Sequence, residues 1–345
     1  MQRFPNPFNP NLLITTIIPT FRRPHMLRRA IQSVLSQTFP HFQVCVYDNA
    51  SGDETAAFVS ELAQQDPRVK YHCHPENIGA VANFQYGLSH VETPYFSFLS
   101  DDDYLLPKFF ETLMEKLQQH PEAFFAVGAV MHVNEKGDVL HVHQPSDPKR
   151  SLWTPPEGLY EMVSSNINWA GILFRKEVIE KIGKLDPTLK IIDADYVLRA
   201  ASQCPFAASN VPCAVFTQHS ASYSSSAGLK LIWPGWLQVM EKLVRGQHIP
   251  ASNQAEIRAC MLKKFQSFLF PLALKCLRNK EILQAVKVAE ILESECQAFK
   301  KSWIIKRLAK STERTKFLFL IFIGMVELRR KFFKPFKSKL LKART

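Results

Sequence analysis

The chain has 345 residues, 46% of them hydrophobic, enough for one large or two ordinary cores. Its net charge of +12 is uneven: Lys300 to Thr345 holds 15 Lys and Arg against two Glu, leaving 28 basic and 29 acidic groups elsewhere. A near-neutral body excludes a general polyanion-binding surface and confines charged partners to the tail. In chain order, Met1 to Asn11 is rich in Pro and Asn and lacks the apolar run of a signal peptide, so no export is expected. Leu12 to Pro19 is β-branched and apolar, a strand; Leu27, Ala30, Ile31, Val34 and Leu35 then recur at helical spacing. Val44 to Tyr47 predicts a second strand ending at Asp48, and the turn Asn49 to Asp53 leads into a helix through about Gln65. Val69 to His72 reads as a strand, Ala80 to Ser89 as a helix, and Tyr95 to Leu99 as a short buried strand.

Pro107 opens an amphipathic helix carrying Phe109, Phe110, Leu113, Met114 and Leu117. Phe124 to Val133 is another strand, turned back by Glu135 to Asp138 as a hairpin, and 138–156 loses periodicity and reads as an exposed loop. Ile172 to Phe174 predicts a strand, Lys176 to Ile182 and Asp193 to Ser202 helices, and Val211 to Thr217 a last strand. Helices are expected at Trp233 to Arg245, Glu256 to Leu277, Glu281 to Phe299 and Trp303 to Leu341. Alternating strands and helices predict an α/β domain over 1–230, followed by a helical basic region over 231–345. The seven cysteines are odd in number and form no C-x-x-C pair, which argues against a disulfide framework and fits a reducing compartment.

The most informative segment is Phe98 to Pro107, where Asp101, Asp102 and Asp103 stand between a strand and a helix. Open α/β sheets bind ligands at the carboxyl ends of their strands, and carboxylates there suit a hard divalent ion holding a diphosphate. Acids before a helix also serve as plain caps. Three further signals lie at strand ends: Pro19, Thr20 and Phe21 in a stiff turn fit to hold a flat base; Asp48, an acceptor for an imide N–H or the opener of an Asx turn; and Asn77 with Gly79 opening the helix that carries Asn83, a ligand cradle or a cap and a packing glycine. Arg22 and Arg23 read as solvated charges.

IIPTFRRP, YDNASGDET, ENIGAVANFQYGL and FLSDDDYLLP, in this order over about 90 residues, resemble the family 2 glycosyltransferases with the A-type nucleotide-sugar-binding fold, a likeness covering roughly 12–225. The resemblance implies a Rossmann-like domain with a mostly parallel mixed sheet and an inverting, metal-dependent transfer of sugar from a nucleoside diphosphate to a hydroxyl. It places Asp48 at the nucleobase, Pro19, Thr20 and Phe21 around it, Asn83 near the nucleotide, Asp101 at the ribose or diphosphate, and Asp102 on Mn²⁺ or Mg²⁺ with Asp103. Asp193 falls on the catalytic-base position, with Asp195 expected as a helix cap, and His219 matches a histidine that reaches the diphosphate or metal. Trp169 lies in the acceptor-side segment, to stack on a sugar or fill the core. The chain departs from the pattern at Ser100, where many relatives carry the first Asp of D-x-D, and at Ile192, where Glu is common.

Asp48 suits UDP or dTDP, with GDP also compatible; the expected acceptors are glycans or lipid-linked sugars. The tail run Phe317 to Val326, ten apolar residues flanked by Lys and Arg, is too short to span a bilayer and fits an anionic membrane surface or a buried helix. Its aromatics are embedded among aliphatics, which argues against nucleic acid, and the protein is expected in the cytoplasm, peripheral at the inner membrane face. Two other classes are a nucleotidyltransferase, whose glycine- and basic-rich triphosphate loop is missing near the first strand, and a non-catalytic carbohydrate- or membrane-binding protein with a decayed site.

Overall fold

A computed structural model describes residues 12–165, 168–219, 228–246 and 248–311. They fall into two compact units, 1–257 and 258–345. The first is built on a mixed sheet in the order β3-β2-β1-β4-β9-β6-β10-β5, with β7 beside β6 and β8 beside β10. The strands β1 (Ile14–Thr20), β2 (Phe42–Asp48), β3 (Val69–Cys73) and β4 (Tyr95–Phe98) are mutually parallel. β9 (Ile172–Arg175) runs antiparallel between β4 and β6 (Phe125–Asn134), and β10 (Phe206–Gln218) lies parallel to β6. The expected Rossmann-like mixed sheet with helices is therefore the observed fold.

Local sequence accounts for the central layer. Every residue of β1 is buried, the mark of an interior strand covered on both faces. Its two inward threonines are satisfied across the sheet, Thr15 by Thr93 at 2.7 Å and Thr16 by Ser97 at 2.9 Å. Helix α1 (Pro24–Leu35) starts on proline and buries Leu27, Ala30, Ile31 and Val34, the stripe its periodicity predicts. Helices α2 (Thr55–Gln65), α3 (Ala80–Ser89) and α4 (Phe109–Gln119) follow their strands as expected. The carboxyl ends of β1, β2, β4, β6 and β10 thus point to one edge of the sheet.

Several elements differ from the sequence reading. The loop expected over 138–156 contains β7 (Val139–His143) and β8 (Leu152–Trp153), short strands whose pairing comes from β6 and β10 rather than from their own composition. Tyr104–Leu105 forms β5 antiparallel to β10, so the three aspartates are held in a tight loop between two strands. Helix α5 (Glu157–Ser165) was not legible as a period, whereas α6 (Glu177–Ile182) and α7 (Ile192–Gln203) were. β10 begins five residues early because Phe206 to Ala208 pair with β6 before a register shift at Pro212.

The compact division falls after Ile257, so helix α8 (Gly228–Arg245), placed by sequence in the second region, lies in the first unit, where Lys242 pairs with Asp186 and Asp195. The second unit holds most of α9 (Ala251–Arg278), then α10 (Ile282–Ser294) and α11 (Phe299–Ala309), with Phe265, Leu269, Val288, Leu292, Ile305 and Leu308 among its buried side chains. The helix expected from Glu281 to Phe299 ends at Ser294, and the one expected from Trp303 begins earlier, at Phe299. The apolar run Phe317 to Val326 lies outside the described residues. No helix among the described residues is long and apolar enough to cross a membrane.

Candidate active site

Two turns at the sheet edge are locked to one another. After β1, Arg22 adopts a left-handed backbone (φ 54°), and its N–H donates to Ser51 Oγ at 2.9 Å while its Nε donates to the Ser51 carbonyl at 3.0 Å. Asp48 Oδ1 holds the second turn by accepting from the Ser51 amide (2.9 Å) and hydroxyl (2.5 Å), and Oδ2 accepts from the Tyr71 hydroxyl at 2.7 Å. Asp48 is thus buried in an Asx-type turn with Oδ1 doubly occupied, and the second lone pair of Oδ2, which Cys73 Sγ approaches at 3.8 Å, is its remaining capacity for a ligand. Pro19 and Thr20 are buried, while Phe21 is exposed beside the Arg22 guanidinium, 5.0 Å from its ring centre.

The third loop is tied to the second. Asn49 Nδ2 donates to Asn77 Oδ1 at 2.9 Å, and Asn49 Oδ1 accepts the Ile78 amide at 2.8 Å. Gly79, at φ 86°, is the residue before α3, and its amide also donates to Asn77 Oδ1. A side chain at Gly79 would meet open space, so the glycine serves its positive φ. Asn83 is fully engaged inside the protein, with His74 Nε2 2.9 Å from its Oδ1 and its Nδ2 donating to the Tyr47 carbonyl at 2.8 Å. The geometry makes it a staple between α3 and strands β2 and β3.

The aspartate loop gathers groups from β1, α1 and β10. Asp101 Oδ2 accepts from the Thr20 hydroxyl at 2.8 Å, and Arg23 Nη1 bridges Asp101 Oδ1 at 3.2 Å and Asp102 Oδ2 at 3.1 Å. Arg23, read from sequence as a solvated charge, is instead the cation of this cluster. Arg29 donates to the Asp102 carbonyl and to Thr217 Oγ1, the latter at 3.0 Å. His219 Nε2 lies 3.0 Å from Asp102 Oδ2, and the Thr217 amide donates to Asp103 Oδ1 at 2.9 Å. Neither arginine was assigned from sequence; the signal was two cations just after the first strand, opposite an acid cluster.

Burial, then the charge of Asp102, push the Asp101 carboxyl up to about 6 against the opposing pull of Arg23 and Thr20. Asp103 is raised well above the ordinary carboxylate value by the same two causes, in that order. Asp102 is the more open acid. Its Oδ2 and His219 Nε2 are separated as adjacent ligands of an octahedral ion would be, since bonds of about 2.1 Å at right angles put donors about 3 Å apart. The donor set therefore fits a divalent ion at Asp102 and His219, with Arg23 neutralising the acids alongside; Asp103 is turned toward the β10 backbone.

Asp193 and Asp195 are separated by their surroundings. Asp193 stands in the first turn of α7, where burial raises its carboxyl pKa against its own amide and that of Ala194. Asp195, buried, is gripped by Arg199 Nε at 2.8 Å and Lys242 Nζ at 3.0 Å, so it is an ion-pair centre rather than the expected cap. Tyr196 sets the edge of its ring on Phe98, 5.7 Å between centres, docking the start of α7 on the strand that leads to the aspartates. Trp169 is core: it stacks on Phe98 at 4.4 Å and packs on Phe84 at 4.7 Å.

Residues 15–183 match the Glycosyl transferase family 2 model. Among curated proteins, the chain is 27% identical over 155 residues to glycosyltransferase GlyA of Streptococcus pneumoniae, covering 45% of this chain and 20% of that one. It is 35% identical over 107 residues to the GalNAc(5)-diNAcBac-PP-undecaprenol beta-1,3-glucosyltransferase of Campylobacter jejuni, covering 31% and 35%. The chain thus spans about a fifth and a third of the length of these two relatives. Among solved structures, S. aureus TarS 1–349 in complex with UDP-GlcNAc superposes with a TM-score of 0.64 at 16% identity, covering 88% of this chain and 92% of that one. Mannosyltransferase PcManGT from Pyrobaculum calidifontis, in complex with GDP-Man and Mn2+, gives 0.54 at 14% identity, covering 94% and 82%.

Proposed function

The chain belongs to the family 2 glycosyltransferases through residues 15–183, and from that premise we propose that it moves a sugar from a nucleoside diphosphate to a hydroxyl acceptor with inversion. The observation that carries this reading is the convergence of Thr20, Arg23, Asp101, Asp102 and His219 at one sheet edge. Asp48 and the Pro19 to Phe21 turn receive the base, UDP or dTDP by preference and GDP as an alternative. Asp102 and His219, with Asp103 nearby, hold Mn²⁺ or Mg²⁺, which when bound offsets the charge of the departing diphosphate. Arg23 and Arg29 place positive charge beside the same oxygens.

Asp193 is the proposed base. A carboxylate made more basic by burial takes the proton of the acceptor hydroxyl as that oxygen bonds to the anomeric carbon. The bond from that carbon to the diphosphate breaks on the opposite face, and the nucleoside diphosphate leaves with its electron pair. The Campylobacter relative, by its name, acts on an undecaprenol-linked glycan, which supports a glycan or lipid-linked acceptor here. A membrane-surface location is supported by the second unit, where Phe299 (63% exposed) and Trp303 (59%) line a pocket with Lys306, Arg307 and Lys310. Incubation with UDP-, dTDP- and GDP-sugars, Mn²⁺ and a lipid-linked glycan, with release of nucleoside diphosphate measured, tests the proposal. Pyrophosphate formed from sugar phosphate and nucleoside triphosphate would replace it with nucleotidyl transfer; binding without release or transfer would leave a carbohydrate-binding protein.

A further inference from the structure

On the β6–β7 hairpin three imidazoles meet, none of them used above. His132 on β6 pairs across the ladder with His141 on β7, and His143, two residues on, lies on the same face. Ring centres are 4.3 Å apart for His132 and His141, 4.2 Å for His132 and His143, and 4.6 Å for His141 and His143. One ring nitrogen from each lies within 4.8 Å of the others. His132 is only 6% exposed, and its Nε2 is buried with no hydrogen-bond partner. An orphaned nitrogen of that kind calls for a ligand.

We propose that His132, His141 and His143 form a binding site for a Zn²⁺-like transition-metal ion, distinct from the Mn²⁺ or Mg²⁺ position at Asp102. Three neutral imidazoles without a carboxylate suit Zn²⁺, Cu²⁺ or Ni²⁺ and disfavour hard, oxygen-seeking Mg²⁺. Tetrahedral ligands at zinc distances have nitrogens about 3.3 Å apart, and the exposed His141 and half-buried His143 can supply that closure by changing rotamer. Gln218 lies on the far side of His132, its amide nitrogen 3.4 Å from Nδ1. With that amide turned over, its oxygen accepts from Nδ1–H and leaves the Nε2 lone pair for the metal, an outer contact that fixes the tautomer. The exposure of His141 keeps the remaining coordination position open to water or a substrate group.

Strand alternation separates this site from the aspartates: Phe216 and Gln218 face the histidines, whereas Thr217 bonds Arg29 and Asp103. The test uses the full chain without a histidine tag, with Zn²⁺ titrated against a chromophoric chelator in about a thousandfold excess of Mg²⁺. One equivalent of Zn²⁺ is expected, and Co²⁺ in its place should give the visible spectrum of a nitrogen-ligated ion. His141→Ala with His143→Ala, both toward the surface of a hairpin, should abolish binding with an unchanged circular dichroism spectrum. Gln218→Ala should weaken it about tenfold, and His219→Ala should leave it intact. No bound equivalent, an equivalent that survives the double substitution, or one lost with His219→Ala would each overturn the proposal.

Discussion

Asp193 and Asp195 stand two residues apart at the start of one helix and should respond to amidation in opposite ways. Asp195 is the buried anion between Arg199 and Lys242, whose side chains are 15% and 34% exposed. Removing one partner of a fully buried pair costs about 3–5 kcal/mol, and the partial exposure of Lys242 reduces this to about 2–3 kcal/mol for Asp195→Asn. For a unit of this size that is a fall in Tm of roughly 4–12 °C. Asp193 has a folded pKa above its unfolded value, so the folded state holds that proton more tightly than the unfolded chain does. Stability is lost as pH rises from the unfolded pKa through the folded one. Asp193→Asn should therefore raise Tm at pH 7, and the gain should disappear in acid, below the ordinary carboxylate range. The same substitution should reduce turnover about a hundredfold or more with donor affinity nearly unchanged. Thermal melts between pH 3 and 8, paired with kinetics at saturating donor, measure both. An Asp193→Asn protein that melts lower and turns over normally would make Asp193 a structural cap and refute the assignment.

Asp102→Asn should remove most of the Mn²⁺-dependent part of nucleoside diphosphate binding, read by calorimetry with Mn²⁺ and with EDTA; equal affinity of the unsubstituted protein under both conditions would discard the metal position. Gly87 sits where an added Cβ would lie 2.5 Å from Ile17 Cγ2 and 2.9 Å from the Tyr47 ring, so Gly87→Ala should destabilise by about 1–3 kcal/mol in chemical denaturation. Because Ile305 and Leu308 of α11 are buried, the tail is best removed after Ser311. The shortened chain, which keeps Phe299, Trp303, Lys306, Arg307 and Lys310, should keep nucleotide binding and sediment more weakly with anionic liposomes at low salt, each lost Lys or Arg near the surface contributing on the order of 1 kcal/mol. Equal sedimentation of both forms would count against the tail as the anchor.

What the sequence by itself determined is local. The β-branched run of β1, the stripe of α1 and the proline before α4 prescribe their elements because backbone period and side-chain burial are set within a few residues. The order of four short motifs was enough to indicate the sheet and to put the acids at its carboxyl edge. The tertiary structure decided which side chains meet. Asp102 and His219 are 117 residues apart and touch because β10 returns beside β6, and Arg23 reaches the acids only once β1 lies beside β4. Asp195 and Asp193 look interchangeable in sequence; a lysine from α8 makes one an ion-pair centre, and its absence leaves the other to burial. The three histidines were invisible for the same reason. Spaced nine and two residues apart in a stretch partly read as loop, they share a face only because β7 pairs with β6, and long-range pairing has no period in the sequence that reports it.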